Sequence, residues 1–306
     1  MPSWDEVQSQ IRAAGSGHDV VRRRALAELS EHTKRNTILY YSGWLEKQHL
    51  INQGLTGLDV NDSDKNGFMA TVHKMDRSKG LDLILHTPGG SVAATESLVD
   101  YLRSMFGTNI RAIVPQLAMS AGTMIALSAK SIVMGKHSSL GPIDPQLNGA
   151  AAHGIVEEFK RAQREIKADP STIATWQPII AKYPPTLVGE CEKSISWANR
   201  IVGDWLTSGM FADAEDPTAS AAKVVNELAD HSLTLSHDRH ISAAKANDLG
   251  ITVEILEDDN DLQERVLTVH HACAQTITET PAFKIIENQL GVAQISMVNI
   301  VRSPNS

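Results

Sequence analysis

A chain of 306 residues, 42% of them hydrophobic, has the apolar content for one large α/β domain or two small ones. Its formal net charge of −8 argues against a nucleic-acid surface or a polybasic membrane patch. Two cysteines, Cys191 and Cys273, are too few for a disulfide framework and read as buried or inert thiols of a reducing compartment. Residues 1–36 carry no apolar core of signal-peptide type, and no apolar run reaches the ~18 residues of a membrane span. The composition therefore predicts a soluble, cytoplasmic protein with no nucleic-acid partner and no membrane span.

Taken in chain order, residues 3–35 place Val7, Ile11, Val20, Val21, Ala25, Leu26 and Leu29 at roughly helical spacing, interrupted at Gly15-Ser16-Gly17. This predicts two short amphipathic helices, an N-terminal extension over 1–36. The β-branched and aromatic run Thr37–Tyr41 predicts the first strand. Asp62-Ser63-Asp64-Lys65-Asn66-Gly67 matches the first half of a calcium loop, but His73 stands where the bidentate Glu is needed. Asp or Ser capping a helix through Phe68, Val72 and Met75 is the reading retained.

From Leu81 the pattern becomes regular. Leu81–Leu85 is an apolar strand, a Pro-Gly-Gly turn follows, and Val92, Leu98, Leu102 and Met105 mark a helix. Arg111–Val114 is a second strand, then come a turn at Ser120, a small-residue helix over Thr123–Ala129, and a third strand at Ser131–Met134. Strands alternating with helices of this length imply βαβ units and a parallel sheet buried on both faces. Beyond Asp144 the chain turns helical and charged over Ile155–Lys167, Thr172–Ala181 and Leu187–Leu206, punctuated by Pro170, Pro178, Pro184 and Pro185. Gly250 ends a further helix, Ile251–Leu256 reads as a strand, and 257–306 is expected to form a mostly helical, polar tail.

The two glycine-rich turns, His86-Thr87-Pro88-Gly89-Gly90 and Met119-Ser120-Ala121-Gly122-Thr123, lie one βα unit apart. A strand-to-helix turn offers a serine in an exposed position and unpaired N–H groups at the start of the helix. Ser120 is therefore the candidate nucleophile, with the N–H groups of Gly90 and Ala121 as candidate oxyanion donors. Gly89, Ser91 and His86 are the candidate substrate-binding residues. Asp144, in Gly-Pro-Ile-Asp-Pro, reads as a structural residue near the site. The His231/His237/His240 group and His270-His271 lack a consistent metal-ligand spacing, so neither a metal nor a cofactor is expected.

Leu83–Gly90, Ala118–Thr123 and Leu140–Gln146, with a weaker match at Ile241–Gly250, resemble the serine peptidases of the ClpP/crotonase superfamily. The resemblance is closest to the SppA-like group and to the serine dehydrogenase proteinase (SDH) family. It implies a ClpP/crotonase-like ββα superhelix over 37–256, with N- and C-terminal helical extensions. It also implies peptide-bond hydrolysis, homo-oligomer assembly and Ser120 as nucleophile. ClpP itself uses a Ser-His-Asp triad, whereas here Asp144 falls near the position of its histidine. SppA-like relatives use a lysine from a later segment, desolvated so that its pKa falls towards neutrality. Lys182, flanked by Ile179, Ile180, Ala181 and Tyr183, is preferred to Lys167 and Lys160, which lie among Glu157, Glu158, Arg161, Arg164 and Glu165. The leading expectation is a serine endopeptidase acting on extended peptide through a Ser-Lys dyad. A crotonase-like acyl-CoA enzyme and a catalytically idle peptide-binding scaffold are the alternatives.

Overall fold

Apolar runs separated by helical segments assemble into one large sheet with helices on both faces, beside two small sheets of three and two short strands. The computed structural model describes Val7, residues 18–147, 149–229, Ser236 and 238–298. The first of the two expected N-terminal helices lies outside the described residues apart from Val7, as do His231 and His237. The second helix is α1 (Asp19–Thr33), which leads into β1 (Asn36–Ser42). There follow α2 (Asp64–Val72), β2 (Leu81–His86), α3 (Val92–Phe106) and β3 (Ile110–Val114). Next come α4 (Ala121–Leu127) and β4 (Ser131–Met134). A helical arm is made of α5 (Ala152–Ala168), α6 (Ile173–Ile180) and the first half of α7 (Leu187–Ser208). The chain returns through α8 (Pro217–Ala229), α9 (Ala243–Leu249), β5 (Val253–Ile255) and α10 (Asn260–Glu279), and closes with β6 (Ala282–Asn288) and β7 (Ala293–Met297).

The seven-stranded sheet has the order β5-β4-β3-β2-β1-β6-β7. Its first five strands are parallel; β6 runs antiparallel to β1, and β7 antiparallel to β6. Alternate side chains go to opposite faces, as strand geometry requires. Ile38, Tyr40, Leu83, Leu85, Ala112, Val114, Ile132 and Met134 join the core formed with α2, α3, α4, the second half of α7, α8 and α9. Leu39, Tyr41, Ile84, Ile113, Val133 and Ile285 join the core formed with α1 and α10. Burial on both faces explains why β2, β3 and β4 read as continuous apolar runs.

The arm has a small core of its own, Ala152, Ile155, Val156, Leu187 and Cys191, while Ala198, Ile201, Val202, Trp205 and Leu206 further along α7 enter the main core. Both cysteines are free and buried. The C-terminal extension is helical over Asn260–Glu279, then adds β6 and β7 to the sheet where a helical tail was expected. The apolar pattern of β6 is hidden because Lys284, Glu287 and Asn288 are buried within it, each satisfied by a distant partner. No described helix is long and apolar enough to cross a membrane.

Candidate active site

Hydrogen bonds join the two glycine-rich turns. Thr87 N–H donates to the Leu117 carbonyl at 3.1 Å, and Met119 N–H donates to the Thr87 carbonyl at 3.0 Å. Gly89, at φ +99°, lies so close to the Ser120 turn that a Cβ there would fall 2.6 Å from Ser120 Cβ and 2.9 Å from Ala121 N. Only glycine permits that approach. Ser120 itself adopts φ 50° and ψ −116° at the start of α4. A non-glycine residue in that region carries strain of about 1–3 kcal/mol, a cost that concentrates at functional turns. A sharp strand-to-helix turn of this kind can hold a serine out of the helix that follows it.

The backbone N–H groups of the site divide into used and unused. Gly89 N–H donates to Thr87 Oγ1 at 3.2 Å, and Ser91 N–H donates to the Val60 carbonyl at 2.9 Å. Those of Gly90 and Ala121 donate to no group among the described residues. Ser91 caps α3 by accepting from Ala94 N–H at 3.2 Å. A cavity of about 410 Å³ adjoins both turns, lined by Gly89, Gly90, Ser91 and Ser120. Val92, Met124, Ile143, Leu147 and Trp197 supply its apolar wall, and Asp59 and Asp144 also reach it. Thr123 Oγ1 donates to the Ala118 carbonyl at 2.7 Å and accepts Gly141 N–H at 2.8 Å, which ties the loop carrying Ile143 and Asp144 to α4. Asp144 is buried and accepts from Gln146 Nε2 at 3.3 Å.

A family model described as ClpP-like SDH-type serine proteinase matches residues 18–289, a span that contains six of the seven strands of the sheet, both turns and the arm. The chain belongs to this family. Its mixed α/β architecture with a parallel-rich sheet is accordingly a ClpP-like fold. The SDH-type chain is similar to the uncharacterized protein MJ0137 of Methanocaldococcus jannaschii, 29% identical over 264 residues, covering 85% of this chain and 81% of that one. It is also similar to MJ1495 of the same organism, 28% identical over 196 residues, covering 64% and 59% respectively. Among solved structures, a mutant of the 1510-N membrane-bound stomatin-specific protease is similar at 18% identity and a TM-score of 0.39, covering 68% of this chain and 79% of that one.

In this SDH-type chain the three candidate lysines stand apart from the cavity. Lys160, Lys167 and Lys182 are exposed, and none of them lines it. Ala152 N–H is bonded to the carbonyl of the cavity residue Pro145 at 2.9 Å, so α5 starts at the cavity rim. At 1.5 Å per residue, Lys160 then lies about 12 Å and Lys167 about 22 Å along that helix. Lys182 precedes Tyr183, which packs on Phe159 with ring centroids 5.3 Å apart and donates to Glu158 at 2.6 Å, level with the middle of α5.

The expectation that His86 touches substrate is corrected. His86 is fully buried and absent from the cavity lining. Strand alternation sends Leu85 towards the cavity side and His86 to the opposite face. There its ring lies 4.3 Å from Tyr41, 4.4 Å from Trp44 and 5.5 Å from His270, centroid to centroid. Burial, with His270 adding to it, holds the His86 pKa well below the usual imidazole value. His270 is pushed down to about 3 by burial, and then by His271 and His137. Sequence reasoning also missed Asp59, Ser194 and Trp197 as cavity residues. Trp197 sits on an amphipathic helix, where an aromatic residue reads as core; Asp59 has no local signal.

Proposed function

We propose that the protein is a serine endopeptidase in which Ser120 Oγ attacks the carbonyl of an extended peptide. The N–H groups of Gly90 and Ala121 form the oxyanion hole, a lysine takes the serine proton and passes it to the leaving amine, and water releases the acyl group. The observation that carries this reading is the strained Ser120, locked against Gly89 beside two unspent N–H groups at a cavity.

The proton acceptor is a lysine of the arm, with Lys182 preferred to Lys160 and Lys167. It reaches Ser120 by closure of the arm or from a second copy in a homo-oligomer. Entry into the apolar cavity would strip water from its ammonium and lower its pKa, as a base requires. Gly89, Gly90 and Ser91 bind the substrate backbone, while Asp144 shapes the loop opposite them.

A fluorophosphonate probe tests the nucleophile. Wild type is expected to label at Ser120, and Ser120→Ala to remain unlabelled; equal labelling of the two sinks the proposal. A cavity lined by neither lysine nor histidine favours one second reading, a scaffold that binds peptide without cleaving it. Stoichiometric peptide binding, with no probe labelling and no cleavage in any assembly state, would establish that reading instead.

A further inference from the structure

The strand β6, which the sequence does not announce, brings the buried Lys284 to the back of the oxyanion turn. Lys284 Nζ donates to Asp64 Oδ1 at 2.8 Å, to Asp64 Oδ2 at 3.1 Å and to the backbone carbonyl of Asp59 at 2.7 Å. Asp64 Oδ2 also accepts from Tyr40 Oη at 2.8 Å and from Asn61 N–H at 3.0 Å. The short strip Asp59-Val60-Asn61 is therefore held along one edge by a buried ion pair and its hydrogen bonds.

Along its other edge the strip holds the turn. Val60 N–H donates to the Gly89 carbonyl at 2.7 Å, and Ser91 N–H donates to the Val60 carbonyl at 2.9 Å. Between these bonds Gly90, at φ +154°, packs so tightly that a Cβ there would fall 2.4 Å from both Val60 N and Val60 O. The chain of contact is continuous: Lys284 fixes Asp59, Asp59 fixes Val60, and Val60 fixes the backbone on both sides of Gly90. A lysine is costly to bury, and pairing it with Asp64 offsets that cost. Neither Lys284 nor Asp64 lines the cavity.

We propose that Lys284 is a positioning residue for catalysis, acting through Asp59 and Val60 to set the Gly90 N–H where the oxyanion forms. The role rests on the peptidase reading above. It matters because an oxyanion donor acts only when its N–H is preorganised within hydrogen-bond reach of the developing charge.

The test is the rate of fluorophosphonate labelling at Ser120, with the melting temperature measured alongside. Lys284→Met alone strands a buried carboxylate and risks misfolding. The paired variant Lys284→Met/Asp64→Asn removes both charges, keeps an acceptor for Tyr40 and Asn61, and still deprives the Asp59 carbonyl of its donor. Lys47→Met is the control, because Lys47 is also buried and donates to a single backbone carbonyl, that of Thr280, at 2.8 Å.

The paired variant is expected to melt near wild type, to label about 10²-fold more slowly, and to lose kcat in the same proportion with KM little changed. The control is expected to label at the wild-type rate. A paired variant that labels at the wild-type rate overturns the role of Lys284 and leaves the nucleophile standing. A control slowed to the same degree also overturns it, because the loss is then a general effect of disturbing a buried lysine. Wild type that does not label at Ser120 overturns the peptidase reading and this inference together.

Discussion

The nucleophile frame and the helical arm meet at one cavity, yet they are built differently. The frame is bonded into the sheet: its turns share hydrogen bonds, its glycines make contacts that no larger residue allows, and its serine is held in a strained conformation. The arm is held by a small core of five buried residues around α5 and α7, with its lysines facing solvent. A rigid element suits groups that must be preorganised. In the proposed mechanism the frame supplies the oxyanion donors and nucleophile, and the arm supplies the base.

The contrast can be broken most sharply at Ser120. Ser120→Ala is expected to lower peptide turnover by at least about 10³-fold with the melting temperature preserved, measured with a fluorogenic peptide. Alanine substitutions at Lys182, Lys160 and Lys167 come next. One of them is expected to cost about 10²–10⁴-fold in turnover, the range of a general base. If all three retain full turnover, the arm does not carry the base.

Gly89→Ala tests the frame itself. The added methyl meets Ser120 Cβ, so turnover is expected to fall about 10²-fold. Stability is expected to fall by about 2–4 kcal/mol from the positive φ and the overpacking together, read by denaturant unfolding. Trp197→Ala removes the wall that α7 lends to the cavity, where Trp197 Nε1 is held by Glu96 at 3.1 Å. KM is expected to rise about tenfold with kcat little changed, the signature of lost uniform binding.

The smallest effect concerns the histidines behind the frame. Burial favours their neutral forms, so between His270's lowered value of about 3 and the ordinary 6.5 the folded chain binds fewer protons than the unfolded one. Their contribution to stability is complete above about pH 6.5 and is lost progressively as pH falls below it. His86→Phe keeps a ring against Tyr41 and Trp44 and removes two ring nitrogens that lack hydrogen-bond partners among the described residues. It is expected to raise the acid melting temperature by a few degrees while leaving turnover at pH 8 unchanged, as thermal scans across pH would show.

The sequence carried the frame because the frame is local. Leu81–His86 and Ser131–Met134 are strands that coincide with apolar runs, and the turns after β2 and β3 announce themselves in glycine and small residues. His86 borders the turn in sequence, but strand alternation turns its ring to the face away from the cavity. The strand β6 stayed hidden because its buried polar side chains are satisfied only in three dimensions. Lys284 needs Asp64, Glu287 needs Arg22 at 2.5 Å, and Asn288 needs the Thr71 carbonyl at 2.7 Å. Each partner lies more than 200 residues away in the chain, with separations of 220, 265 and 217. No windowed pattern can anticipate such pairs. The proton acceptor was the least legible element, because Lys160, Lys167 and Lys182 are all exposed and none lines the cavity, so no fixed surroundings mark one of them out.

A structure of the protein reacted with a peptide boronate tests the central claim most directly. A tetrahedral boron bonded to Ser120 Oγ, with one boronate oxygen about 2.7–3.1 Å from both the Gly90 and Ala121 nitrogens, is the predicted result. An unmodified Ser120 with boronate bound elsewhere, or an adduct whose oxygens meet neither nitrogen, would contradict it.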